Sequence, residues 1–159
     1  MEDYLQLLEE SLEKKLAVLE KIGEFNLKQR NIFDIDGELP DFEKFDSYIE
    51  EKGKLIDELN SLDEGFEALY ARVADSLKEN KEENASRIKR LQNLIRQVTD
   101  KSVMLQSQEA ENKKLMEKFF KATRDEIGKG RNSLNAAYSY FESQRGTGDS
   151  GALFFDSKK

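Results

Sequence analysis

The chain has 159 residues, a net charge of −7, and neither cysteine nor histidine. That size fits one domain or one elongated module. The missing residue types exclude disulfides, thiol chemistry and thiolate metal sites, and they remove the commonest general base and transition-metal ligand.

Charge is unevenly spread. Residues 1–82 hold 11 basic and 23 acidic side chains, residues 83–143 hold 12 and 8, and residues 144–159 hold 3 and 2. An acidic first half disfavours nucleic acid as a partner, because phosphate contacts require positive surface. The basic segment is expected to lie beside the acidic one within the same fold. No apolar run approaches the ~20 residues that cross a bilayer, so no membrane insertion is expected. The start, MEDYLQLLEE, is acidic and amphipathic, unlike the basic start of a signal peptide, and a cytoplasmic location is expected.

Residues 2–33 read as an amphipathic helix, with Leu5, Leu8, Leu12, Leu16, Leu19 and Ile22 recurring at gaps of three and four. Gly37 and Pro40 interrupt the pattern in FDIDGELPD. Asp34, Asp36, Glu38 and Asp41 crowd this stretch, but with Asp34 as the first ligand Gly37 falls at position 4, whereas a calcium-binding EF-hand loop needs glycine at 6. An acidic, solvated interhelical loop is the simpler reading, and no metal or cofactor is expected.

A second helix is predicted over 41–79, with Asp41 as its cap. Phe42, Phe45 and Ile49 open it, and Leu55, Leu59, Leu62, Phe66, Leu69 and Val73 continue as a heptad seam. Residues 78–86, KENKEENAS, lack any apolar side chain until Ala85. A tight turn is expected there, because each apolar seam needs a partner and a helical hairpin supplies one.

The third helix is predicted over 83–143. Ile88, Leu91, Ile95, Val98, Leu105, Met116 and Phe119 keep one heptad register, which slips by one residue to Ile127, Leu134 and Phe141. Ser102, Glu109 and Asn112 fall in the seam, and a polar seam residue such as Asn112 is expected to set register. Residues 144–159 read as a flexible tail carrying Leu153, Phe154 and Phe155 behind the tether QRGTGDSG. The expected fold is therefore all-α: one elongated antiparallel helical hairpin or three-helix coiled-coil bundle over 1–143, with a long C-terminal helix and a flexible tail.

At about 1.5 Å per residue these helices would span roughly 48, 58 and 90 Å, so about 30 Å of an unbroken third helix would outrun its neighbours. That overhang contains Gly128 and Gly130, each unfavourable in a helix, so two arrangements are expected to compete: the helix bends at the glycines and folds back over its own apolar face, or the face is left open for a partner. The candidate partner-binding residues are Met116, Phe119, Phe120, Ile127, Leu134, Tyr138 and Phe141, joined by Leu153, Phe154 and Phe155 as a plug over the face or a second anchor.

Enzyme signatures do not survive inspection. GTGDSG, residues 146–151, has the spacing of a dinucleotide fingerprint but follows a helix instead of a strand. Carboxylate pairs such as Glu9/Glu10 and Glu50/Glu51, and the basic residues Arg87, Lys89, Arg90 and Arg96, read as solvated or intrachain faces. No catalytic residue is assigned, and the chain is not expected to be an enzyme.

Three stretches carry a family resemblance. EEKGKLIDELNSLDEGFEALYARV (50–73) resembles the central helix of the FlgN-type flagellar export chaperones. IRQVTDKSVMLQSQEAENKKLMEKFF (95–120) resembles their last helix, with Glu109, Ala110, Glu111, Asn112 and Leu115 as the matching core. LNAAYSYF (134–141) resembles the end of that helix, and the tether, aromatic pair and lysines resemble tails of FlgN-like or FliT-like proteins. The resemblance implies a cytoplasmic chaperone of flagellar type III export. Its partners would be a hook–filament junction (hook-associated) protein or the filament cap protein, and export-gate or export-ATPase components. The alternative is a structural coiled-coil scaffold that self-associates through its heptads.

Overall fold

The computed structural model describes residues 2–33, 40–119, 137, 140 and 141. Its elements are α1 (Glu2–Ile32), α2 (Phe42–Glu79) and α3 (Ala85–Phe119), with no strand among the described residues. The fold is an all-α three-helix bundle.

Local chemistry sets the helix ends. The Asp41 carboxylate accepts a hydrogen bond from the Lys44 N–H at 3.1 Å, so the expected cap starts α2. Residues 80–84 form the expected turn without Gly or Pro. Two asparagines do the work instead. Asn80 donates to the Ser76 carbonyl through both its backbone N–H and its side-chain amide, each at 3.0 Å, and the Asn84 amide donates to the Asn80 carbonyl at 3.1 Å. Carbonyls that a helix end would leave unpaired are thereby satisfied.

Cross-helix contacts give the directions. Lys15 meets Asp63, Asn26 meets Lys52 and Phe33 meets Phe45, so α1 and α2 are antiparallel. Arg90 meets Glu9 and Glu13, while Arg30 meets Glu111, so α1 and α3 run parallel. The Arg90 pairs join acidic side chains of the first helix to the basic third, as the charge pattern implied, and the solvent-exposed Arg30–Glu111 pair adds little stability in water.

α1 packs against both other helices, whereas no Cα atoms of α2 and α3 come within 8 Å of one another. The α2–α3 hairpin is thus splayed, with α1 laid between its legs. A helix with two neighbours buries a wider stripe than a single seam. Hence Lys15 and Val18 are buried beside Leu12, Leu19 and Ile22, while Leu16 is half-buried. α3 buries residues 88, 91, 95, 98, 102, 105, 109, 112 and 116, the heptad register read from its sequence. On α2 only Phe45, Lys52, Leu59, Val73 and Leu77 are fully buried; Leu55, Leu62, Phe66 and Leu69 are half-buried, as expected for a helix with one backbone neighbour.

Of the two arrangements expected beyond the bundle's end, the described residues favour the folded-back one. Met116 shares an apolar cluster with Phe45 near the start of α2. An unbroken helix would carry Tyr140 about 36 Å past that level. Instead the Tyr140 hydroxyl donates to Asp63 Oδ2 at 2.9 Å. Asp63 lies about 27 Å back along α2 from Phe45. Ala137, Tyr140 and Phe141 therefore lie against the middle of the bundle, not beyond its end, and the rest of the segment predicted as helix over 120–143 lies outside the described residues.

Gly53 and Gly65 lie inside α2, exposed, with nothing within 4 Å of an added Cβ. Each weakens the helix by about 1 kcal/mol relative to Ala. The double substitution Gly53→Ala/Gly65→Ala is expected to raise the free energy of unfolding by about 1–2 kcal/mol, read from urea denaturation.

Candidate functional site

Two arrangements stand out. The first is where the returning chain meets the hairpin. Ala137 and Phe141 are buried in the main apolar cluster, and half-buried Tyr140 packs against it. These three residues have the i, i+3, i+4 spacing of one helical face. The Tyr140 and Phe141 rings meet edge to face at 5.2 Å. Tyr140 ends on Asp63, which also pairs with the largely buried Lys15 of α1. Burial first, and then the adjoining Asp63 carboxylate, push the Tyr140 hydroxyl far above its ordinary range. It therefore stays protonated and serves as a donor. Asp63 thus ties α1, α2 and the C-terminal stretch together.

The second arrangement is a polar layer through the bundle centre. Lys52 Nζ donates to Asn26 Oδ1 and Gln29 Oε1, each at 2.8 Å, and to Glu109 Oε1. Its three protons are all used. The Asn26 amide donates to Gln108 Oε1 and the Asn112 amide to the Asn26 carbonyl, both at 3.1 Å. Lys52 and Glu109 are 2 % and 0 % exposed, and Asn26, Gln29 and Asn112 are equally sealed. Burial lowers the Lys52 pKa and raises that of Glu109; their mutual attraction opposes both shifts. Among the described residues, Glu109 Oε2 and Gln29 Nε2 find no hydrogen-bond partner.

Asn112 thus does bridge to a neighbouring helix. Lys52, Asn26 and Gln29 were missed, yet each had a signal. Phe45, Ile49, Lys52, Ile56 and Leu59 keep gaps of four and three, as do Ile22, Asn26, Gln29 and Phe33. Polar residues at those steps look like surface until the three registers are laid side by side.

Of the candidate partner-binding residues, Met116 is fully buried against Ile32, Phe33 and Phe45, and Phe141 is fully buried in the main cluster. The chain itself covers both, as in the folded-back arrangement, so neither stands on an open face. Phe119 ends α3, and its side chain lies outside the described residues. Phe120, Ile127, Leu134, Tyr138, Leu153, Phe154 and Phe155 also lie outside them.

Among the described residues, no group of three or more acidic side chains could hold a metal ion, and no helix is long and apolar enough to cross a membrane. No family model, curated protein or solved structure matches the chain.

Proposed function

We propose that the chain is a cytoplasmic chaperone of flagellar type III export, of the FlgN/FliT-like kind. It holds the amphipathic terminal helix of a hook–filament junction or filament cap protein and delivers it to the export gate or export ATPase. The observation that carries this reading is the seat of Ala137, Tyr140 and Phe141 on the bundle: one helical face with apolar anchors at i and i+4 and a polar one at i+3. Helix-in-groove recognition uses anchors of that spacing. A partner helix competes for the seat, and the chain's own stretch keeps it covered until the partner arrives. On this reading Met116 and Phe141 are closed to solvent in substrate-free protein, in keeping with their burial.

Tyr140→Phe tests the reading. It deletes the hydroxyl on Asp63 while keeping the ring, which weakens the internal competitor by about 1–2 kcal/mol, since the bond runs to a charged acceptor. Calorimetric titration with terminal segments of junction and cap proteins is expected to give a Kd about five- to thirtyfold tighter for the variant than for the wild type. Absence of binding to every such segment by both proteins rejects the function. Equal affinities reject the competing role of the C-terminal stretch. A stable elongated oligomer in sedimentation, without affinity for these segments, would favour the scaffold.

A further inference from the structure

The apolar core is not continuous. One cluster holds most of it, from Leu5, Leu8, Leu77, Ile88 and Leu91 at one end of the bundle to Ile22, Leu59 and Leu105 near the middle. A second, much smaller cluster holds Ile32, Phe33, Phe45 and Met116 at the other end, flanked by half-buried Phe42, Tyr48, Ile49 and Leu115. Between them, on all three helices, lies the layer of Asn26, Gln29, Lys52, Glu109 and Asn112. Apolar packing is what makes neighbouring turns unfold together, and a stretch with few buried apolar contacts opens at lower free energy than the rest. Here the interruption is a buried ion pair whose desolvation offsets much of its attraction, with Glu109 Oε2 and Gln29 Nε2 unpaired among the described residues.

We propose that the Lys52 layer divides the bundle into two cooperative units, and that the end built on Phe45 and Met116 opens while the remainder stays folded. The open form releases the last turns of α1, the first turns of α2 and the last turns of α3 together, because one cluster joins them. Ordinary fraying would loosen each terminus gradually and would affect both ends of the bundle alike. The layer instead predicts a step. It falls within residues 22–32, 49–55 and 105–116, and the opposite end shows no counterpart, since its side chains belong to the large cluster.

Native-state hydrogen exchange of the full chain, followed amide by amide at increasing sub-denaturing urea, reads this directly. Amides on the Phe45–Met116 side of the layer are expected to exchange more than about tenfold faster than those around Leu59, Leu91 and Leu105, with one shared and shallower urea dependence. In Asn26→Leu/Gln29→Leu/Lys52→Met/Glu109→Leu, where apolar side chains replace the layer's polar ones on all three helices and no acceptor of Lys52 is stranded, the difference is expected to shrink to within about threefold. A smooth gradient, a similar step at the opposite end, or equal rates and urea slopes throughout would overturn the proposal. So would a step that persists unchanged in the fourfold variant. Should that variant fail to fold, the position of the wild-type step decides: anywhere other than the layer, the division is wrong.

Discussion

Lys52→Met is expected to lower the stability of the folded chain by about 3–5 kcal/mol at neutral pH, because it strands Glu109 as a buried carboxylate without its countercharge. For a chain of this length the loss corresponds to a fall of roughly 10 °C in Tm. The methionine itself is harmless in size and polarity, so the cost lies in the groups left behind: the Glu109 carboxylate, and the Asn26 and Gln29 side-chain oxygens that lose their donor. The pH dependence identifies the carboxylate's share. Burial already raises the Glu109 pKa with Lys52 present, and removing the ammonium removes the chief influence holding it down. The folded variant therefore binds a proton more tightly than the unfolded chain does. Its penalty is full above the raised folded pKa and fades as the pH falls through that value towards the ordinary carboxylate range. Urea denaturation of wild type and variant at a series of pH values is expected to show a gap that narrows on acidification. A gap below about 1 kcal/mol at neutral pH, or one that widens in acid, would mean that the pair is not sealed from water.

Phe141→Ala is expected to reduce the free energy of unfolding by about 3–5 kcal/mol, the usual cost of emptying a fully buried phenylalanine site. The ring is completely covered within the main cluster, next to a tyrosine that is tied to Asp63. An overhanging, solvent-facing Phe141 would instead tolerate the change to within about 0.5 kcal/mol. Equilibrium urea unfolding separates the two outcomes. It tests whether the returning chain is integral to the bundle or rests loosely on it, and with that how firmly a competing helix must bind to take its place.

The elements were largely legible along the chain. Apolar side chains at gaps of three and four marked α1, α2 and α3, Asp41 marked the start of α2, and the polar run around Asn80 and Asn84 marked the turn. These are local properties: a helix of this kind announces its buried stripe through its own period. Which of the two arrangements the end of the chain takes was not legible, because heptads read the same whether a helix projects outward or folds back; the burial of Ala137 and Phe141 and the bond from Tyr140 to Asp63 distinguish them.

The polar layer shows the same division of labour most sharply. Asn26, Gln29, Lys52, Glu109 and Asn112 each interrupt an apolar register that is visible along the chain. That they interrupt it at one level follows from the packing, because helix direction and stagger depend on how the hairpin splays around α1. An isolated charge at a seam position would be costly to bury. Brought to a common height, opposite charges and amides satisfy most of one another's hydrogen bonds, and five local exceptions become one buried network.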